Sequence, residues 1–151
     1  MTPPLEFVFE LNAEVAAPVD IGPTPYGFRR IIPIVSGSFL GPLIQGTLLP
    51  GGADWQIIRG DGVTELHAHY ILATGDGALI QVKVRGLRHA EGDVLERIAA
   101  GETVDPSEYY FRVAPVFEAP EGRYAWMNRS VFVGVGERQT LGVRIRVFRV
   151  L

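Results

Sequence analysis

The placement of glycine and proline constrains this chain more than any other feature. Eighteen glycines and eleven prolines recur roughly every dozen residues, and the runs between them are rich in Val, Ile, Phe, Tyr and Leu, as strands separated by turns require. The pattern predicts strands over Leu5 to Val15, Tyr26 to Val35, Ser38 to Leu48, Asp54 to Arg59, Thr64 to Thr74, Ala78 to His89, Glu108 to Phe117, Ser130 to Arg138 and Leu141 to Val150. One short helix is expected over Glu91 to Ala100, where Val94, Leu95 and Ile98 recur at helical spacing, Gly101 ends the run and Pro106 opposes an early restart. Neither a repeat nor a linker interrupts the 151 residues, so a single domain burying about two-thirds of its unfolded surface is expected.

The expected fold class is all-β, a closed or nearly closed antiparallel β-barrel of about nine strands with one short helix. Edges favour closure: an open sheet of this size exposes two apolar edge strands, and a barrel removes them. A β-sandwich is the rival arrangement. It fills its middle with side chains, whereas a barrel of eight or more strands leaves room for one small ligand.

Composition narrows the partners. The chain is 47% hydrophobic and 21% charged with a formal net charge of -3, which argues against disorder and against a nucleic-acid partner. The lack of cysteine removes disulfides, thiolate zinc sites, iron–sulfur clusters and cysteine nucleophiles. No stretch is apolar for long enough to span a bilayer, and the start MTPPLEFVFEL has no basic leader or small-residue cleavage site, so a cytoplasmic protein without a membrane partner is expected.

No cofactor motif emerges either. Gly75-Asp76-Gly77 lacks the helix and lysine of a phosphate loop, and Gly134-Val135-Gly136 lies between strands rather than opening a Rossmann helix. There is no Gly-x-Ser-x-Gly elbow around Ser36, Ser38, Ser107 or Ser130.

The residues that could carry chemistry form three clusters. In Glu65-Leu66-His67-Ala68-His69-Tyr70, alternation puts Glu65, His67 and His69 on one face and Leu66, Ala68 and Tyr70 on the other. The two imidazoles are close enough to share a metal or to work as a base and its neighbour. A cupin-type metal site wants a glutamate shortly after the second histidine, and Ile71-Leu72-Ala73-Thr74 stands there instead, so no metal is expected. The competing reading is a solvated outer face. The Asp76-Gly77 turn makes this strand a hairpin with the next. A three-residue loop sets Lys83 and Arg85 beside His69 and His67, a two-residue loop sets Ile80 and Val82 there, and both favour neutral imidazole.

The second cluster is Gly51-Gly52-Ala53-Asp54-Trp55-Gln56. Its aspartate can act as a general base at a barrel mouth if apolar neighbours such as Trp55 raise its pKa; an Asx turn is the structural alternative. The third pairs aromatic bodies with polar tips in Tyr109-Tyr110-Phe111-Arg112 and Tyr124-Ala125-Trp126-Met127-Asn128. Trp126 and Asn128 share a strand face if that segment is extended.

Several of these segments together resemble the family known as domain of unknown function 3237, or uncharacterised protein family 0311. Ile32-Pro33-Ile34, Gly41-Pro42, Gly46, Pro50 to Gln56, Gly75 to Ala78, Tyr109 to Arg112, Trp126-Met127-Asn128 and Val133-Gly134 carry the resemblance, and Gly-Gly-Ala-Asp-Trp-Gln is its most specific piece. It implies a small lipocalin-like β-barrel without an assigned reaction. One departure stands out, because His67-Ala68-His69-Tyr70 occupies the place where the family is expected to read Asp-Ala-Arg-Tyr. The match carries over Asp54, Trp55, Tyr110, Arg112, Trp126 and Asn128 as pocket residues without a catalytic role.

The functional expectation is a barrel that binds a small, partly apolar molecule and either carries it or catalyses a cofactor-free isomerisation, cyclisation or hydration. The alternative is a non-catalytic carrier or a homodimeric interaction module, to which an exposed Leu141 to Val150 strand could contribute. His67, His69 and Asp54 are the candidate catalytic residues. The histidines are favoured because imidazole titrates near neutrality, while moving a carboxyl about three units costs roughly 4 kcal/mol. Trp55, Glu65, Tyr70, Tyr110, Arg112, Trp126 and Asn128 are the candidate ligand-binding residues, Glu65 and Tyr70 both standing because sequence leaves open which strand face lines the lumen.

Overall fold

The computed structural model describes every residue from Met1 to Leu151. Its strands are β1 (Leu5–Val15), β2 (Val19–Thr24), β3 (Gly27–Leu40), β4 (Gln45–Leu48), β5 (Ala53–Ile58), β6 (Thr64–Thr74), β7 (Leu79–Ala90), β8 (Tyr109–Glu118), β9 (Val131–Gln139) and β10 (Gly142–Val150). The helix α1 spans Val94–Ala99. All pairings are antiparallel, and the order β1-β10-β9-β8-β7-β6-β4-β3 closes on itself because β1 also pairs with β3.

Ten strands make a barrel of eight rows because two rows are interrupted. Strands β4 and β5 together fill the gap between β3 and β6, and β2 continues along β3 where β1 stops. The interruptions are bridged by Leu49 N–H to Ile71 C=O, Ile34 N–H to Gly52 C=O and Ala16 N–H to Pro33 C=O, each at 2.9 Å. Backbone groups are thus satisfied around the wall, which is what closure provides.

Two departures from the sequence reading have physical causes. The expected break at Gly37 is absent, and β3 runs straight through it. A Cβ there would lie 2.7 Å from the Asn12 carbonyl and 3.2 Å from Leu48 Cβ, so this glycine permits close strand crossing rather than a turn. Strand β2 hides in the turn-like sequence Val-Asp-Ile-Gly-Pro-Thr. It pairs with β3 alone, through a bulge between Asp20 and Gly22, and an edge position tolerates the N–H that Pro23 lacks.

Alternation then sorts the side chains. Leu72, Ile80 and Val82 are fully buried because they share the inward parity of β6 and β7. In β10 the Val143, Ile145 and Val147 side belongs to the interior, while outward Arg144 pairs with Glu137 at 2.6 Å. One end of the barrel is solid. Phe9 packs on Phe39 and Phe117, with ring centroids 5.3 and 5.9 Å apart, and Phe117 meets Phe132 edge-on at 4.8 Å. A 3₁₀ turn, Ala125–Arg129, caps that end with buried Met127.

Candidate functional site

The other end of the barrel is polar inside. The turn at Pro50 to Gly52 delivers β5 so that Asp54 and Gln56 point inward and Trp55, 49% exposed, points outward. Asp54 Oδ1 accepts from the His67 backbone N–H at 3.0 Å, and Oδ2 accepts from Gln56 Nε2 at 2.7 Å. The Gln56 Oε1 in turn accepts from Arg30 Nε at 2.8 Å. Burial pushes the Asp54 carboxyl above its ordinary value, and the bonds from Gln56 and His67 with the charges of Arg88 and Arg30 hold it back only in part.

Across the lumen stand two more arginines. Arg88, 6% exposed, continues the inward face of β7, and its guanidinium lies over the Phe111 ring at 5.4 Å from the centroid. Burial, with repulsion from Arg138 and Arg30, lowers its pKa to about 10. Arg138 extends the inward parity of β9. Its backbone N–H donates to Tyr109 Oη at 3.0 Å, but its buried Nε has no hydrogen-bond partner. The Phe111 ring reaches β9 because residue 136 is glycine; a Cβ there would stand 2.5 Å from the ring.

Asp54, Gln56, Arg88, Arg138 and Tyr70 line one partly open cavity of about 60 Å³ whose remaining wall is aliphatic and aromatic. Burial, with the adjacent Asp54 charge, raises the Tyr70 phenol, so it stays protonated and able to donate. The site therefore combines a carboxyl raised by burial, a protonated phenol and two cations in a low-dielectric setting.

The structure divides the sequence candidates between the two sides of the wall. Asp54 and Tyr70 line the lumen. Glu65, His67 and His69 leave the outer face of β6 and are exposed. The hairpin has the three-residue register, with His67 opposite Arg85 and His69 opposite Lys83. His69 Nε2 meets Gln81 Oε1 at 2.8 Å, and Glu65 pairs with Arg59 at 3.4 Å.

Trp55, Glu65, His67, Tyr110 and Arg112 gather around an open outer depression of about 790 Å³. Tyr110 stacks on His89 at 4.9 Å, and the Arg112 guanidinium lies 5.3 Å from the Tyr110 ring centroid. The last two candidates belong to the solid end, and there the segment is a 3₁₀ turn rather than the extended strand that would have put them on one face. Trp126 lies under Arg149 at 5.4 Å. Asn128 accepts from Ala119 N–H at 2.8 Å and donates to Ala119 C=O at 2.9 Å, which pins the 3₁₀ turn to the end of β8.

Sequence reasoning missed Arg30, Gln56, Arg88 and Arg138. A signal existed for all three arginines: Arg30 falls on the parity of the buried Ile32 and Ile34. Arg88 falls on the parity of Ile80, Val82 and Val84, and Arg138 on that of Phe132, Gly134 and Gly136, and a charge on an apolar parity is the mark of a buried functional group.

Comparison with known proteins agrees with this architecture. The profile described as "Protein of unknown function (DUF3237)" matches residues 3–150. The chain is 41% identical over 153 aligned positions to a UPF0311 protein of Rhodopseudomonas palustris, covering 100% of both. It is 38% identical to a UPF0311 protein of Clostridium acetobutylicum, covering 96% of this chain and 92% of that one. The crystal structure of the R. palustris protein superposes with a TM-score of 0.95 at 39% identity, over 100% of this chain and 99% of that one. A β-barrel like protein of Acinetobacter baumannii superposes at 0.85 and 34%, with the same coverage. An enzyme from Penicillium herquei shares the fold at a TM-score of 0.76 and 21% identity, over 100% of this chain and 96% of that one.

Proposed function

The chain belongs to the DUF3237 family, and from that premise we propose that its barrel binds a small, partly apolar, oxygenated molecule at the polar end of the lumen, with Asp54 as the acid–base group of a cofactor-free proton transfer. The observation that carries this reading is the state of Asp54: a carboxyl raised by burial, facing a cavity and tied to no cation by an ion pair. Such a carboxyl is a stronger base than an exposed aspartate, and once protonated it returns the proton as an acid. Isomerisation, cyclisation and hydration all need that sequence of removal and return, with no electron acceptor. Tyr70, held protonated, supplies a donor to a developing oxyanion.

The cavity bounds the ligand. Pockets for drug-sized molecules run to roughly 300–1,000 Å³, and about 60 Å³ accommodates the reacting end of a molecule whose body extends toward the barrel mouth. His67 and His69 stand on the opposite side of the wall from that cavity, so proton transfer in the lumen falls to Asp54.

A panel of small ketones and 1,3-dicarbonyl compounds incubated in D₂O with the purified protein tests the reading by NMR. Deuterium wash-in at the acidic carbon is expected with the wild type, and Asp54→Asn should slow it by about 10²-fold or more. Exchange unchanged by D54N would remove Asp54 from the chemistry and leave a carrier.

A further inference from the structure

Of the three arginines at this end of the lumen, Arg30 has Asp20 and Asp54 within reach, whereas Arg88 and Arg138 share Asp54 alone. Arg30, Arg88 and Arg138 all lie within electrostatic reach of Asp54, yet none forms an ion pair. The ion pairs of the chain lie elsewhere, on Arg59, Arg97, Arg123, Arg144 and Arg149. The two Asp54 oxygens are taken up by Gln56 and the His67 N–H, and of the three guanidiniums only Arg30 is engaged, through Gln56. Arg88 is 6% exposed with the Phe111 ring as its companion, and Arg138 Nε is buried without a partner. Arg88 is buried and Arg138 half-buried, and desolvated cations that form no ion pair are costly in a folded protein. A fold that holds two of them against a cavity has a use for them.

We infer that Arg88 and Arg138 form an anion seat in the lumen, and that the molecule bound there is a small organic acid whose carboxylate bridges the two guanidiniums. The inference rests on the lumen being the ligand site and names the class of molecule it takes. Arg88 on β7 and Arg138 on β9 flank β8, whose Phe111 is the register partner of Arg88, and Asp54 enters the same cavity from β5. A planar carboxylate matches the guanidinium fork. The apolar wall, which includes Leu66, Val84, Val113 and Ile145, accommodates a hydrocarbon body. That wall disfavours phosphate, whose oxygens need polar partners on every side.

Calorimetric titration of the full chain with acetate, propionate and benzoate, against acetamide, propionamide and benzamide of matching shape, tests this directly. The acids should bind and raise Tm, and the amides should do neither. Arg138→Gln and Arg88→Gln should each weaken the binding of the acids by at least about tenfold. Equal binding of acids and amides by the wild type would overturn the inference without any variant, so a misfolded R88Q does not shield it. Acid binding unchanged in R138Q, or phosphate binding in place of the acids, would overturn it too. Asp54→Asn should bind the acids at least as tightly as the wild type, because a like charge is gone. The two ideas fail separately: lost acid selectivity with D54N still blocking deuterium exchange sinks the anion seat alone, and intact selectivity with D54N exchanging normally sinks the acid–base role alone.

Discussion

Asp54 and His67 meet through the barrel wall: the carboxylate inside accepts from the His67 backbone N–H at 3.0 Å, while the His67 imidazole leaves on the outer face. The residues face opposite sides because Trp55, not Asp54, is the register partner of His67 and successive side chains alternate across the wall. A carboxyl and an imidazole that are close in the sheet are thus held apart in function, one in a low-dielectric cavity and one in solvent.

Replacing both histidines therefore spares the lumen. His67→Gln with His69→Gln should leave stability within about 0.5 kcal/mol of wild type, the usual range for surface changes, and leave deuterium exchange unaltered. The 2.8 Å contact of His69 with Gln81 is exposed and contributes little. Loss of exchange in the double variant would return proton transfer to the outer face.

Asp54 sets a distinctive pH dependence of stability. Its folded-state pKa is raised above the ordinary 3.8, so the folded chain binds that proton more tightly than the unfolded chain does. Its contribution is fully present below the unfolded value and is lost as pH rises through the folded one. Asp54→Asn removes this loss. The Tm of D54N relative to wild type should become more favourable from about pH 4 upward and then level off; a difference that does not change with pH would show that Asp54 is not raised.

Asp76 should behave with the opposite sign. Bonds from Thr74, Tyr124 Oη at 2.9 Å and Arg123 at 3.1 Å hold its carboxyl below 3.8. Its stabilisation is present above the unfolded pKa and disappears as pH falls through the folded one. In thermal melts, Asp76→Asn should lie below wild type at neutral pH and converge with it in acid, the mirror image of D54N. Parallel curves for the two variants would contradict the assignment.

Gly136→Ala probes the support of the arginine seat. The new methyl would stand 2.5 Å from the Phe111 ring, which must shift within a packed interior at about 1–3 kcal/mol. For a domain of this size that is a Tm decrease of about 2–4 °C per kcal/mol. Arg88 rests on that ring, so benzoate affinity should fall in G136A as well. Unchanged melting would mean that the ring moves freely and does not position Arg88.

Local pattern in the sequence determined the strands and the chemistry each could present. The Asp76-Gly77 hairpin, β6 with its two faces, the helix and the Gly-Gly-Ala-Asp-Trp-Gln step were legible because turn residues and period-two alternation act over a few neighbours. Local pattern could not say that Gly37 is a crossing point rather than a turn, that Val19–Thr24 is an edge strand, or that Trp126 and Asn128 sit in a 3₁₀ turn, since each depends on which strand lies alongside. Above all, alternation yields two faces without saying which is inside. Closure of the barrel made that choice, turning His67 and His69 outward and bringing Asp54, Arg88 and Arg138 from three separate strands into one cavity, because burial and charge are set by neighbours distant in the chain.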